Sequence, residues 1–338
     1  MSVIFAGGRL DALAVISGTP TEVTTAGSFN SAEADASLRC LSGDVMEAVF
    51  RNVSMVATDV VTGETLFANF DFYRTSFASG GGVNFATLYD SSGYPWLAVR
   101  SITATNIDFG LFYNSGTGAS PVWTQIGATQ DVISSTLYVI TIKLTLGSPH
   151  TVQLSVNNSL VISSTFTQAS LTSLRSLRLN GLTAATYYLH FSRVLCLRNE
   201  STINAKLITR RATGAGTHTA WTGVFGDVAE AINSDGTTNS ATTAGLKQSY
   251  AMADVAVPAG FAFAGVWLWN RAKNDGAAPN NIKSLLRSGG VDYSSANLTG
   301  IGTSFTPIGM RYDTDPATGA AFTQAGFNAY EMGYESAT

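Results

Sequence analysis

The sequence predicts an all-β chain built as two sandwich domains in series, and three observations predict it. Short segments of alternating apolar and polar residues recur from Val45 to the C-terminus, turn clusters separate them, and no stretch keeps a helical period long enough for a crossover helix. The clearest segment is residues 137–166. Ile140, Ile142, Leu144 and Leu146 alternate there with Val139, Thr141, Lys143 and Thr145, the period of a half-buried antiparallel strand. Val152, Leu154 and Val156 repeat the pattern against Thr151, Gln153 and Ser155. Gly147-Ser148-Pro149 breaks the first ladder, and Asn157-Asn158 supplies the two left-handed residues of a tight hairpin. A three-strand meander cannot hide its apolar face alone, so a second sheet is expected over it.

In chain order, residues 1–36 are rich in Gly, Ser, Thr and Ala, with apolar residues at Val3, Ile4, Phe5, Leu10, Leu13, Val15 and Ile16. That composition reads as an extended arm that docks on another surface, with Phe5, Leu10, Leu13, Val15 and Ile16 as its anchoring side chains. Strands are then expected at 45–53, 65–73, 83–89, 96–102, 107–113, 122–126, in the meander, and at 174–179 and 187–197. Thr62-Gly63, Gly80-Gly81-Gly82, Asp90-Ser91-Ser92-Gly93, Ser115-Gly116-Thr117-Gly118 and Asn180-Gly181 supply the turns. About ten short strands over residues 37–200 argue a jelly-roll sandwich. A smaller β-sandwich is expected over residues 201–338, with strands at 206–211, 247–252, 261–272, 282–287, 305–312 and 327–334 and a loop at 213–217.

Composition narrows the function. Only 12% of the 338 residues are charged, against about 25% in average soluble domains, so Ser, Thr, Asn and Gly must cover the surface. A neutral, hydroxyl-rich exterior suits proteins that pack against copies of themselves or against neighbours. The net charge of -4 and the absence of a basic run give no basis for nucleic-acid binding. No stretch approaches a membrane span, and the N-terminus lacks a basic leader region, so synthesis in the cytoplasm is expected. Cys40 and Cys196 lie in apolar, strand-like settings and read as buried thiols, with a disulfide left open.

Two ordered sets of residues carry a resemblance. Ala86-Thr87-Leu88-Tyr89-Asp90-Ser91-Ser92-Gly93, Trp123-Thr124-Gln125-Ile126-Gly127 and the hairpin at 152–161 resemble the laminin-G or concanavalin A-like jelly rolls of tailed-phage virion proteins. The segments 264–273, Leu286-Arg287-Ser288-Gly289-Gly290, 315–323 and 328–334 are similar to a small β domain of phage structural proteins. Phe322 stands where that pattern has Trp, and Asn239 where it has an aromatic. In the physical reading, Asp315-Pro316 with Gly319 forms a turn and Phe322 caps the core beside Trp267 or Trp269. The resemblance implies a non-enzymatic decoration, tail or baseplate component located in the virion. Its partners would be other virion proteins and copies of itself, a homotrimer by analogy with phage appendages, and no cofactor is implied.

The residues themselves offer little catalytic chemistry. His150, His190 and His218 lack a second ligand at metal spacing, and Gly80-Gly81-Gly82 precedes a strand rather than a helix. A glycanase on this fold needs two carboxylates facing one cleft, which Glu47, Glu64 and Asp71 do not supply. Asp313-Thr314-Asp315 hints at a calcium loop, but Pro316 follows directly and a tight turn is the better account. Tyr94, Trp96, Tyr113 and Trp123 lie near loop ends and give the alternative reading, a sugar-stacking platform of an adhesin for host surface polysaccharide.

Overall fold

The computed structural model describes residues 3–7, 9, 12–24, 27–29, 34, 36–52, 55–74, 82–102, 108–131, 133, 135–181, 188–203, 205–230, 235–276, 278–299 and 301–338. The chain folds as two compact units, Met1–Leu207 and Ile208–Thr338. The division falls at 207 rather than at the expected boundary of 200. The Asn199 N–H donates to the Thr65 carbonyl at 2.7 Å, and Asn199 Oδ1 accepts from the Thr65 N–H at 2.8 Å.

The first unit is a two-sheet antiparallel sandwich. One sheet has the lane order Ser159–Phe166, His150–Val156, Leu137–Thr145, Thr65–Arg74, Leu189–Arg198, Ser37–Cys40 and Thr21–Val23. The other runs Trp123–Gln130, Phe109–Asn114, Pro95–Ser101, Asn84–Tyr89, Ser176–Asn180, Val45–Val49 and Ala14–Ser17. The meander forms as its alternation requires, with Ile142 opposite Leu154 and Leu154 opposite Ile162, and with Asn157 and Asn158 both left-handed at φ 49° and 64°. The two inner faces meet at aromatic pairs: Phe72 stacks on Phe85 at 4.7 Å, and Tyr113 on Phe166 at 4.7 Å. Gly181 closes a turn that no other residue could, since a Cβ there would lie 1.6 Å from the Leu41 carbonyl oxygen.

The N-terminal segment is not an arm. Val3–Gly7 pairs with the second half of Leu189–Arg198, beside the lane whose other half is taken by Ser37–Cys40. Ala14–Ser17 closes the edge of the seven-stranded sheet, and Thr21–Val23 that of the larger one. Phe5 is 1% exposed and Leu13 is fully buried. A buried Arg9–Glu22 ion pair at 2.8 Å links the segment's own elements. Each strand is too short and too rich in small residues to build a core, as its composition says, but it completes the core of its own chain rather than that of a neighbour.

A buried polar layer lies on the outer side of the larger sheet. His190 stacks edge-on against Tyr73 at 5.4 Å, its Nδ1 lies 3.2 Å from Ser37 Oγ, and Ser37 Oγ lies 2.7 Å from Ser28 Oγ. Burial, and secondarily the charge of Arg39, lowers the His190 imidazole from 6.5 to about 4. Cys40 and Cys196 are both free and buried, and burial raises both thiols.

The second unit holds a five-stranded sheet in the order Ala212–Thr219, Lys247–Met252, Glu331–Ala337, Asn281–Ser288 and Val291–Ser294, plus a ribbon of Val266–Ala272 with Thr306–Tyr312. Ala212–Thr219 replaces the loop expected at 213–217, because a strand of Ala, Gly and Thr on a sheet edge has no apolar alternation to reveal it. Phe327 lies not in a strand but in the short helix Gln324–Asn328, where Thr323 Oγ1 caps by accepting from the Gly326 N–H. The turn at Asp315 forms as expected: its carboxylate accepts from the Ala317 N–H, and its carbonyl from the Gly319 N–H at 2.7 Å. Phe322 is buried, but with Val266, Leu268, Leu286, Tyr330 and Met332. Strand alternation turns Trp267 and Trp269 to the other face, where they pack on each other at 5.7 Å.

The five-stranded sheet is strongly curled. His218 and Asp292 sit on its first and last strands, which in a flat sheet would stand about 19 Å apart. Nevertheless His218 Nε2 lies 2.8 Å from Asp292 Oδ2, and Lys247 Nζ reaches the same oxygen at 2.9 Å. Burial opposes the Asp292 charge, but hydrogen bonds from Lys247, His218 and Arg287 prevail and hold the carboxyl well below the usual range. Lys283 and Ser294 both donate to Glu335, at 2.8 and 2.7 Å, within the same concave face.

Two outcomes follow for the first unit. Deleting residues 2–36 is expected to unfold it, because three strands and Phe5 leave the core, and Phe5→Ala alone should cost about 3–5 kcal/mol in chemical denaturation. Cooperative melting of the deletion variant at the wild-type temperature would refute the assignment. For pH, the folded His190 value lies below that of the unfolded chain, so the unfolded state binds the extra proton between the two. Stability should therefore fall as pH drops from about 6.5 towards 4, and His190→Gln should flatten that part of the stability profile.

Candidate functional site

The expected anchoring residues separate in the structure. Phe5 and Leu13 are core residues, so neither can anchor the chain elsewhere. Val15 and Ile16 are 38% and 48% exposed on the edge strand Ala14–Ser17, and Leu10 lies outside the described residues.

The four aromatics proposed as a sugar platform also separate. Tyr113 points inward and stacks on Phe166 between the sheets. Trp96 is 2% exposed, with Nε1 donating to Asp90 Oδ2 at 2.9 Å. The other Asp90 oxygen accepts from the Ser92 and Tyr94 N–H groups, so Asp90 and Trp96 are the frame of a tight turn. Tyr94 is 41% exposed and packs on the turn at Gly118, where a Cβ would lie 2.3 Å from its ring. Trp123 is half-buried on the edge strand of the seven-stranded sheet. The platform does not assemble as expected, because two of its rings are spent on the fold.

A different cluster forms around Trp123. Strand register places Gln125, Phe112, Ala98, Thr87, Arg178 and Glu47 in one row across six adjacent strands of the outer face. Alternation puts Trp123 and Arg100 on the same face, with Arg100 cross-strand from Gly110 and Asn84. The Arg100 guanidinium lies 5.5 Å from the Phe112 ring centre and 5.9 Å from that of Trp123. Burial lowers its pKa from the usual arginine value. Farther along the row Arg178 covers Tyr89 at 4.0 Å and donates through Nε to Glu47 Oε1 at 2.9 Å, while Ser176 Oγ donates to the same oxygen at 2.7 Å. Burial raises the Tyr89 phenol, so it stays neutral although Arg178 opposes the shift. Neither Phe112 nor Arg100 belongs to the set of aromatics expected from the sequence. Their signal was present: Phe112 is an aromatic at a polar-parity position between Gly110 and Asn114.

The loop that delivers Trp123 is fixed by Asn114. Its Oδ1 accepts from the Gly116 and Val122 N–H groups at 2.9 and 3.0 Å, and its Nδ2 donates to the Pro95 and Thr117 carbonyls at 3.0 Å. Among the described residues carboxylates do not converge on this face. Glu47 is held by Arg178, and Asp71 lies in the opposite sheet. Among the described residues no group of three His, Cys, Asp or Glu could hold a metal ion.

No family model matches the chain, and no curated protein matches it. Among solved structures 207 chains match. The endo-beta-1,4-glucuronan lyase of Trichoderma reesei aligns over 58% of this chain and 95% of its own, at 12% identity and a TM-score of 0.42. The globular domain of T. cruzi calreticulin covers 58% and 88% at 8% identity and 0.40. Lectin I-B4 of Griffonia simplicifolia covers 56% and 94% at 15% identity and 0.36. At those values the likeness assigns no residue a role.

Asn114→Ala should lower the stability of the first unit by about 2 kcal/mol or more, because it orphans buried backbone groups on both sides of the loop. A thermal or denaturant melt checks this, and an unchanged midpoint would show that the loop is held by other contacts.

Proposed function

We propose that this chain is a non-enzymatic recognition component of a tailed-phage particle that holds host surface polysaccharide on the outer face of its seven-stranded sheet. The observation that carries the glycan reading is the half-exposed cluster of Trp123, Phe112 and Arg100. Partly exposed aromatic faces beside a hydrogen-bond donor suit a sugar ring, which stacks its C–H face and leaves its hydroxyls at the edge. The virion setting rests on the ordered C-terminal segments of the sequence, and contacts with other virion proteins or further copies would use Val15 and Ile16. A recognition role without chemistry agrees with a face whose only carboxylate in the row, Glu47, is already bound by Arg178 and Ser176.

The test is binding of the purified chain to a glycan array, paired with inhibition of phage adsorption. Saturable binding is expected, weakened roughly tenfold by Trp123→Ala or Phe112→Ala while the melting temperature stays near wild type. Failure to bind any saccharide would overturn the reading and leave packing within a particle as the function to examine.

A further inference from the structure

Arg100 differs from seven of the other arginines of its unit. Arg9, Arg175, Arg178, Arg193 and Arg198 each sit on a carboxylate, those of Glu22, Asp59, Glu47, Asp71 and Glu64. Arg51 donates to the Met55 carbonyl, and Arg39 to Thr21 Oγ1. Among the described residues the Arg100 side chain has neither a carboxylate nor a hydrogen-bond acceptor, and its guanidinium lies over the rings of Phe112 and Trp123. A guanidinium lying over rings keeps its in-plane N–H donors free, and those donors match a carboxylate in bidentate geometry.

Three further features surround it. Gly82, left-handed at φ 86°, brings its backbone so close that an added Cβ would lie 2.6 Å from Arg100 Nη2. That approach limits where the side chain can go. Asn84, directly cross-strand, has a buried Oδ1 without a partner, and Thr87 in the adjoining row has a buried Oγ1 without one. These buried atoms make the surroundings of Arg100 polar, although neither is open to a ligand on the surface. Ala98, between Phe112 and Thr87 in the row, adds no bulk there.

We infer that the face is selective for acidic saccharides, with the carboxylate of a uronic or sialic acid residue received by Arg100 and the neighbouring ring stacked on Trp123 and Phe112. The inference rests on the glycan reading above and names its ligand class. A partly buried cation without a counter-ion carries a desolvation cost that a neutral sugar does not relieve, whereas a carboxylate pairs with it. Glu47 does not repel such a ligand at Arg100, because its charge is matched by Arg178 one strand beyond Thr87.

The experiment uses the full chain and a panel of oligogalacturonate, oligoguluronate, oligoglucuronate and sialylated oligosaccharides, each beside its carboxyl-reduced counterpart, with a sulfated oligosaccharide as a further arm. Tighter binding of at least one acidic oligosaccharide than of its reduced counterpart is expected. Arg100→Gln should weaken that binding roughly tenfold or more and remove the preference, with Arg100→Lys in between because it keeps the charge and loses the fork. Because the Arg100 side chain makes no hydrogen bond among the described residues, Arg100→Gln should melt like wild type. Equal binding of acidic and reduced forms, lost in Trp123→Ala and kept in Arg100→Gln, would overturn the inference and leave the glycan reading standing. Preference for the sulfated arm over every carboxylate would also overturn it, and absence of all saccharide binding would remove both.

Discussion

The strand Leu189–Arg198 is the element on which the first unit depends. It pairs along its whole length with Thr65–Arg74, while its other edge accepts Ser37–Cys40 at one end and Val3–Gly7 at the other. One strand can serve two partners on the same edge because it is bulged between Ser192 and Leu195, where Arg193 takes a left-handed φ of 49°. That conformation is costly for a non-glycine residue. Its compensation lies in the side chain: Arg193 forks onto Asp71 at 2.6 Å through both Nε and Nη2, and Ser192 Oγ donates to the same carboxylate at 2.9 Å. Burial drives both charges towards neutrality, the Asp71 carboxyl up to about 7 and the Arg193 guanidinium down to about 10, so each ion depends on the other.

The second unit solves a different problem. Its curled sheet has an apolar convex side, where Leu286 and Met332 meet Val266, Leu268 and Phe322. Its concave side is lined by Lys247, Lys283, Arg287, Asp292, Glu331 and Glu335, three of each sign. These are gathered closely enough that strands at opposite ends share a carboxylate. Glu331 takes the Thr217 N–H, Thr217 Oγ1 and Ser249 Oγ, which ties the edge strand into the curl. In a chain with so few charged residues, this one face gathers six of them.

In the first unit the proposed site lies on a sheet face rather than in the loops. The loops consume their conspicuous side chains in holding themselves: Asp90 is occupied by two backbone N–H groups and Trp96, and Asn114 by four backbone groups. What remains available is on the strands between them, where register rather than sequence proximity brings Arg100, Phe112 and Trp123 together.

By itself the sequence determined the all-β class, the strands of the meander with its Asn157-Asn158 turn, and the Asp315 turn. All of these are set by period-2 alternation and by residues with strong local backbone preferences. Tertiary structure decided what alternation cannot encode. Val3–Gly7 and Ala212–Thr219 are strands because a partner edge awaits them, not because of their own side chains. Phe5 is core and Val15 is surface although both read as apolar residues of one segment. Tyr113 faces inward while Phe112 faces outward, a difference of one residue that follows from which side of the sheet meets the second one. Arg100 stands among rings and, among the described residues, without a carboxylate because three strands are paired in one particular register, and register is set by the burial of the opposite face.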